Sequence, residues 1–138
     1  MSSAPLAQAI PYSRFDQLRE AREILRQEGD ALHELAKRLD SQFSEAVDVI
    51  LHCRGRVIVT GIGKAGLIAQ KIVATFSSTG TPAMFLHPAE AVHGDLGSVT
   101  ANDVVLALSN SGETQEICSL LPSLKQLASS VIAITASN

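Results

Sequence analysis

The fold is decided by the stretch Val104-Val105-Leu106-Ala107-Leu108, which runs directly into Ser109-Asn110-Ser111-Gly112-Glu113-Thr114. Five successive apolar residues before a cluster of Ser and Gly predict a strand buried on both faces, as in a parallel sheet. A loop that leaves such a strand and opens a helix directs backbone N–H groups and the positive helix end outward, and both favour an anion. The hydroxyls of Ser109, Ser111 and Thr114 can donate to phosphate oxygens without adding charge. The stretch therefore predicts a parallel strand that carries a phosphate loop.

Glu113 is the one charged residue of this loop, and two interpretations of it are open. A carboxylate repels a bound phosphate, so one interpretation is that it serves as a catalytic base held just beyond the anion. The other interpretation places Glu113 in the first turn of the following helix, where the helix dipole favours a negative charge. The loop sequence alone does not separate the two.

A second loop of the same kind lies earlier in the chain. Residues 56–60 predict the first strand, which continues into Gly61-Ile62-Gly63-Lys64-Ala65-Gly66, before a helix predicted from residue 67 to about residue 76. This is a G-x-G-x-x-G pattern in the strand-to-helix context that gives the pattern value. Gly61 and Gly63 would let the backbone approach a ligand closely. Lys64 is either a solvated surface residue or an ammonium that pairs with phosphate or with a developing oxyanion.

Two nucleotide-binding patterns fail at these positions. A dinucleotide site requires an acidic residue at the end of the second strand, but the predicted strand 83–86 is followed by His87. The Walker pattern fails because Lys64 is not followed by Ser or Thr after a four-residue spacer. A nucleotide-binding module is therefore only a third alternative for the function.

The segment that follows is His87-Pro88-Ala89-Glu90-Ala91-Val92-His93-Gly94-Asp95-Leu96-Gly97, the most polar in this half of the chain. Its two histidines and two acids would allow a metal site or an acid–base histidine. The spacing matches no common zinc signature, so the sequence favours a histidine that binds a sugar hydroxyl or moves a proton during ring opening. The alternative is a loop folded over the sheet edge, in which Asp95 and the glycines shape turns.

Length and composition are typical of a globular domain. The chain has 138 residues, of which 46% are apolar and 18% charged, and this excludes a disordered chain. A formal net charge of -3 without a block of Lys or Arg gives no support to nucleic-acid binding. No run approaches the roughly 20 apolar residues of a membrane span, and no signal-peptide core is found. Cys53 and Cys118 lack C-x-x-C spacing and are expected to be buried, reduced thiols in helices, which favours the cytoplasm.

The whole chain, residues 1–138, is expected to form a single domain in three parts. These are a loose arm over 1–14, a helical lead-in over 15–54 and a parallel α/β part over 56–138. The lead-in begins with a helix over 15–39 whose leucines recur every seven residues, at positions 18, 25, 32 and 39. Such a seam favours packing against another helix, either in a subunit contact or over the sheet of the same chain.

The fold class is α/β, with a doubly wound parallel sheet of four strands preceded by two N-terminal helices. Strand–helix alternation from residue 56 onward supports this class. If the strands follow the flavodoxin-like order 2-1-3-4, the order reverses between the first and third strands. The glycine loop over 61–66 and the loop over 109–114 would then face each other across one crevice.

Residues 57–138 resemble a sugar isomerase (SIS) domain, because the loop over 109–114 is similar to the family's S-x-S-G-E-T/S phosphate loop. The glycine loop, residues 76–97 and the phosphate loop are together similar to the D-arabinose 5-phosphate isomerases in particular. The resemblance covers about four-fifths of the chain when the N-terminal helices count as the family's leading pair. Family members continue with a fifth strand, further helices and usually two CBS modules. The resemblance therefore implies an N-terminal, C-terminally incomplete part of such a protein.

The resemblance implies an activity and the residues that carry it. The family interconverts D-arabinose 5-phosphate and D-ribulose 5-phosphate through an enediolate, on the way to Kdo, the eight-carbon acid sugar of bacterial lipopolysaccharide. Lys64 and Glu113 match positions considered catalytic, and His87 and His93 lie in the active-site segment. The residues expected to hold or shape the substrate site are Gly61, Gly63, Ser109, Asn110, Ser111, Gly112 and Thr114. The proton-transfer base is either Glu113 or one of the histidines.

No cofactor and no metal are implied for this chemistry. The implied partners are a small sugar phosphate and further copies of the chain, in a tetramer by family resemblance, without nucleic acid or membrane. The alternative within the family is a regulatory SIS domain that binds a phosphosugar without catalysis.

Overall fold

The computed structural model describes residues 13–136, which form two compact units that divide between Ser41 and Gln42. Most of the expected loose arm, residues 1–12, lies outside the described residues. The first unit contains helix α1, Arg14–Arg38, which confirms the helix predicted over 15–39. Ser13 caps this helix, because its Oγ accepts a hydrogen bond of 3.1 Å from the backbone N–H of Asp16. The leucines at positions 18, 25, 32 and 39 are exposed.

The elements after α1 form an α/β domain. In chain order they are α2 (Ser41–Leu51), β1 (Val57–Thr60), α3 (Lys64–Ser78), β2 (Ala83–Leu86), α4 (Pro88–Val92), a 3₁₀ turn (Asp95–Ser98), β3 (Val104–Leu108), α5 (Gln115–Leu127) and β4 (Ser130–Ile134). All four strands are parallel and lie in the order β2-β1-β3-β4. The predicted parallel sheet, its strand order and the two helices before it are confirmed.

Helices cover the sheet on both faces, which makes it doubly wound. One face packs against α4 and α5, in a cluster of Ile58, Leu86, Ala91, Val99, Val105, Leu120 and Leu124. The other face packs against α3, in a cluster of Val57, Val59, Ala69, Leu106 and Leu108. Burial on both sides explains why β1 and β3 are continuous apolar runs in the sequence and not alternating ones.

The register aligns the carboxyl ends of three strands. Thr60, the last residue of β1, lies opposite Leu86 of β2 and Ala107 of β3. Because parallel strands end at the same edge, the loops that follow β1, β2 and β3 leave the sheet side by side. The chain passes from β1 to β2 on one face and from β2 to β3 on the other, so the order reverses between β1 and β3. Ligands of open α/β sheets bind at this point of reversal.

Two local expectations are wrong. Helix α3 begins at Lys64 and not at residue 67, because Gly63 adopts a φ of 58° and turns the chain directly into the helix. The cysteines are also not buried as expected, although Cys118 does lie in a helix. Cys53 is half-buried in the segment after α2, and Cys118 is exposed on α5. Both thiols are free.

Asp103 connects the strands at the opposite, amino edge of the sheet. It is buried, and its carboxylate accepts hydrogen bonds from the backbone N–H of Arg56 at 2.7 Å, from that of Thr100 at 2.8 Å and from the Thr100 hydroxyl at 3.0 Å. Its carbonyl oxygen accepts from the N–H and the hydroxyl of Ser129, both at 2.8 Å. A Cβ at Gly55 would collide with the carboxylate. Asp103 therefore joins the starts of β1, β3 and β4, through its carboxylate and its backbone carbonyl.

The surroundings of Asp103 act on its pKa in opposite directions. Burial raises the pKa, but backbone hydrogen bonds from Arg56 and Thr100, the Thr100 hydroxyl and the Arg56 charge together hold it below the usual value. The Arg56 guanidinium lies 3.6 Å from the Asp103 carboxylate. Because the pKa is lower in the folded chain, the ionised carboxylate stabilises the fold above the unfolded-state pKa of 3.8. That contribution is lost as the pH falls through the folded-state pKa.

Asp103→Asn should lower the free energy of unfolding, because it removes the charge and turns an NH₂ donor toward groups that already donate. We expect a loss of about 2 kcal/mol at neutral pH, the size of a hydrogen bond to a charged group. The difference from the parent chain should shrink as the pH falls below the unfolded-state pKa of 3.8 and through the lower folded-state pKa, because the unfolded chain takes up the proton first. Urea unfolding across pH measures both effects. Asp48→Asn, at an exposed position of α2, is the matched control, and an equal loss in both variants would contradict the assignment.

Candidate functional site

The glycines of the loop after β1 have two different structural roles. Gly61 and Gly66 are buried against each other, since a Cβ on Gly66 would lie 2.9 Å from the Gly61 carbonyl oxygen. They allow the start of α3 to pack closely on the end of β1. Gly63 is exposed with nothing within 4 Å of its Cβ position, but its φ of 58° favours glycine. Gly63 is therefore the point at which this loop leaves its backbone open to a ligand.

Lys64 is the first residue of α3, and its side chain is exposed. It forms no ion pair with any residue between 13 and 136. The helix dipole disfavours a cation at this position, and the first turn of α3 contains no acidic residue that would offset it. Lys64 thus does not stabilise its helix, and it leaves a free positive charge at the carboxyl edge of the sheet.

The loop after β3 is held in shape by its own hydroxyls. Ser109 is buried, with its Oγ 2.8 Å from Thr114 Oγ1 and accepting a hydrogen bond of 3.1 Å from the N–H of Gly112. Gly112 has a φ of 73°, and Ser111 Oγ accepts a hydrogen bond of 3.2 Å from the N–H of Glu113. The Ser109 hydroxyl therefore orders the loop, and a direct contact between it and a phosphate stays a prediction.

Glu113 lies before α5 and not inside it. The helix begins at Gln115, and Thr114 occupies the N-cap position without a side-chain capping bond. The interpretation of Glu113 as a first-turn residue therefore does not apply. Its side chain is exposed, and within the described range it forms no ion pair. The first backbone N–H groups of α5, uncapped by a side chain, lie directly beside it and can accept an anion.

The segment after β2 places the two histidines at the two ends of α4. His87 is the N-cap residue and His93 the C-cap residue, and both side chains are exposed. The far end of the segment is fixed by Arg56, whose guanidinium donates a hydrogen bond of 2.6 Å to the carbonyl oxygen of Ser98. No cluster of three or more metal-ligating side chains occurs among residues 13–136.

A cleft of about 370 Å³ opens between α3 and the ends of β3 and β4. Ser109 and Asn110 belong to its lining, which is otherwise mostly apolar and consists of Ala65, Ile68, Ile72, Leu108, Ile134, Thr135 and Ala136. Asn110 connects the loop to the segment after β4, because its carbonyl oxygen accepts a hydrogen bond of 3.0 Å from the N–H of Ala136. A phosphorylated sugar requires polar partners, so we assign the candidate site to the polar loops and not to this cleft.

The structure thus brings the glycine loop, the phosphate loop and the start of the histidine segment to one edge of the sheet. The candidate catalytic side chains, however, do not contact one another through hydrogen bonds or ion pairs in the described residues. These side chains are those of Lys64, Glu113, His87 and His93. No helix of this part of the chain is long and apolar enough to cross a membrane.

Parallel order, two anion-favouring loops and a reversal of strand order between them are the features of α/β domains in which ligands bind at the carboxyl edge of the sheet. The chain belongs to the SIS domain family, since the family model described as "SIS domain" matches residues 50–138.

Two similar proteins are both named as arabinose 5-phosphate isomerases. The "Probable arabinose 5-phosphate isomerase" of Haemophilus influenzae is 47% identical over 131 residues, which are 95% of this chain and 39% of that protein. The "Arabinose 5-phosphate isomerase KdsD" of Shigella flexneri is 49% identical over 121 residues, 88% of this chain and 37% of that protein. The chain therefore spans less than two-fifths of the length of these relatives.

A solved structure has a similar fold. The Escherichia coli CFT073 protein c3406, in complex with arabinose 5-phosphate, superimposes with a TM-score of 0.85 at 44% identity. The match covers 91% of this chain and 67% of that chain.

Gly66→Ala should destabilise the domain, because the added Cβ meets the backbone carbonyl of Gly61, which cannot move without shifting α3 from β1. Overpacking of this kind costs about 1–3 kcal/mol, and urea unfolding measures it. Gly97→Ala is the matched control, because nothing lies within 4 Å of the new methyl group there. If both variants unfold at the same urea concentration, the close approach of Gly61 and Gly66 is not what positions α3.

Proposed function

We propose that this chain is the SIS domain of an aldose–ketose isomerase that interconverts D-arabinose 5-phosphate and D-ribulose 5-phosphate. One observation carries the proposal. Loops that leave the adjacent strands β1 and β3 at the same edge each present an exposed charged side chain, Lys64 and Glu113, of opposite sign. The names of relatives at 47% and 49% identity support this choice of sugar phosphate.

The phosphate is assigned to the loop after β3. Ser111, Thr114 and the first backbone N–H groups of α5 would donate to its oxygens, while Ser109, Asn110 and Gly112 hold the loop in shape. Gly61 and Gly63 bring the neighbouring backbone toward the sugar. The loop needs no charged residue to hold the phosphate, which leaves Lys64 and Glu113 for the reacting carbons.

The reaction moves protons between two adjacent carbons and their oxygens. A base removes the proton from C2 of the open-chain aldose, and the electron pair forms the C1–C2 double bond of an enediolate. The proton is then delivered to C1, and O2 becomes the carbonyl oxygen of the ketose as its hydroxyl proton passes to O1. Glu113 is the proposed base, with the histidines as the other candidates. Lys64 would stabilise the oxyanion, and His93 or His87 would assist ring opening.

A regulatory SIS domain that binds the same ligand without catalysis is the second candidate. It is favoured by the exposed Glu113 carboxylate, which has no hydrogen-bonding partner within residues 13–136 to orient it. A catalytic base requires an oriented carboxylate, whereas phosphate binding requires only the preorganised loop. Both candidates use the same loop and differ only in turnover.

The same assignment leads us to propose a biosynthetic role, a cellular compartment and a cofactor requirement. Its product would feed the synthesis of Kdo for lipopolysaccharide, in the cytoplasm. The proposal requires neither a cofactor nor a metal ion, because a positioned base and an electrophile are sufficient for enediolate chemistry.

Glu113→Gln should abolish turnover and leave binding of the sugar phosphate intact, because it removes the base but keeps the shape of the side chain. We expect kcat to fall by about 10²–10⁴-fold, the usual contribution of a general base. A coupled assay of D-arabinose 5-phosphate turnover measures kcat, and calorimetric titration measures binding. Glu116→Gln, an exposed glutamate in the first turn of α5, is the charge-matched control.

Three results would change the assignment. Binding without turnover in the parent chain, and in a longer chain of the same protein, favours the regulatory domain. Unchanged turnover in Glu113→Gln moves the base to a histidine. Binding of NAD or ATP in place of the sugar phosphate favours the nucleotide-binding module.

The leucine seam of α1 is proposed to join copies of this chain in a homo-oligomer, a tetramer by family resemblance. Leu18, Leu25 and Leu32 recur every seven residues on one exposed face of the helix, the spacing of a helix–helix seam. Sedimentation of the chain at micromolar concentration should therefore give an oligomer. Replacing Leu25 and Leu32 by Glu should dissociate it, whereas Gln27→Glu, between seam positions, should not. A monomeric parent chain contradicts this contact.

A further inference from the structure

The ring of His87 is held in one orientation by two contacts. Its Nδ1 lies 3.2 Å from the backbone nitrogen of Ala89, the second residue of α4, and accepts the hydrogen bond of that N–H. The ring also packs edge-on against Phe85, with ring centroids 6.1 Å apart and an angle of 76° between the planes. Pro88, whose ring fixes its φ, lies between His87 and Ala89 and restricts the backbone that joins the two. The ring is therefore positioned although it is exposed.

The capping bond determines which ring nitrogen carries the proton. A backbone N–H can only donate, so Nδ1 must offer its lone pair to Ala89. A neutral imidazole has one N–H, and its proton must then be on Nε2. No other hydrogen bond to this ring is found among residues 13–136, so Nε2–H remains available as a donor.

His87 also lies at the edge that carries the candidate site. It follows Leu86 directly, and Leu86 pairs with Thr60 at the end of β1. His87, one residue past the end of β2, therefore lies at the level of Gly61, one residue past the end of β1, beside the glycine loop. The ring of His93 is not held in this way, because it has no hydrogen-bonding partner in the described chain. The backbone N–H of His93 closes the end of α4.

We propose that His87 is a neutral hydrogen-bond donor, which offers Nε2–H to an oxygen of the bound sugar phosphate and does not act as a base. The proposal rests on the proposed function for the identity of the ligand. In this role the His87 ring loses no proton. Its Nε2–H polarises the carbonyl oxygen of the open-chain sugar or stabilises the enediolate oxygen. A neutral imidazole is known to act as such an electrophile in aldose–ketose isomerisation. Proton transfer would then fall to Glu113 or His93.

The tautomer can be tested without any activity. Long-range ¹H–¹⁵N correlation spectra of the full chain, labelled at its four histidines, distinguish a protonated Nε2 from a protonated Nδ1. The His87 resonances are assigned by their loss in His87→Ser. We expect a single Nε2–H form at neutral pH. A protonated Nδ1, or an averaged mixture of the two forms, would overturn the proposal.

Two variants separate the role of His87 as a hydrogen-bond donor to the ligand from its role as the N-cap of α4. His87→Ser keeps an N-cap acceptor for the N–H of Ala89 but removes the donor. His87→Gln removes the ring acceptor but places an amide NH₂ near the position of Nε2. We expect kcat to fall about 100-fold in His87→Ser, the size reported for loss of one oxyanion donor. His87→Gln should be faster than His87→Ser although less stable. The reverse order, or an unchanged kcat in His87→Ser, would show that His87 is only a cap.

The donor role of His87 can also be tested if the parent chain does not turn over the sugar phosphate. The ¹⁵N-labelled chain is then titrated with D-arabinose 5-phosphate and, separately, with inorganic phosphate. A shift of the His87 Nε2–H resonance with the sugar phosphate but not with phosphate alone supports the donor, even though the isomerase proposal fails. No shift with the sugar phosphate overturns the donor whatever the activity.

Discussion

The pairing of β1 with β3 is the constraint on which the rest of the domain depends. Val57, Ile58 and Val59 are wholly buried, so the backbone groups of β1 can be satisfied only by its neighbouring strands. The same pairing places Thr60 opposite Ala107. The glycine loop and the phosphate loop therefore begin at the same level of the sheet. Their relative position is set by a hydrogen-bond ladder in the core, and not by contacts between the loops themselves.

The two edges of the sheet differ in how their charged side chains are paired. At the amino edge, the Asp103 carboxylate is buried and fully hydrogen-bonded to Arg56 and Thr100, which fixes the starts of the strands. At the carboxyl edge, the charged groups of Lys64 and Glu113 are exposed and make no ion pair in the described residues. A rigid edge at one end allows the other end to keep unpaired charges, because the fold does not depend on them. Arg56 also donates a hydrogen bond to the carbonyl oxygen of Ser98, at the end of the 3₁₀ turn.

Several residues of the carboxyl edge oppose local preference, as is usual for functional sites. Lys64 lies at the positive end of α3, where a carboxylate would stabilise the helix. Gly63 and Gly112 hold positive φ angles that other residues rarely adopt. Thr114 does not cap α5, since its hydroxyl bonds Ser109 instead. Lys64 thus leaves a charge, and the start of α5 without a side-chain cap leaves backbone donors, at the carboxyl edge of the sheet.

The sequence by itself determined the strands, their parallel arrangement and the position of both loops, because buried apolar runs and strand-to-helix turns are local patterns. The predicted bounds of β2 and β3 are those of the structure. Only the tertiary structure decided that α3 starts at Lys64, that the Ser109 hydroxyl is used within its loop and that Asp103 holds the amino edge. These features depend on backbone angles and on contacts between distant residues, which no local periodicity records.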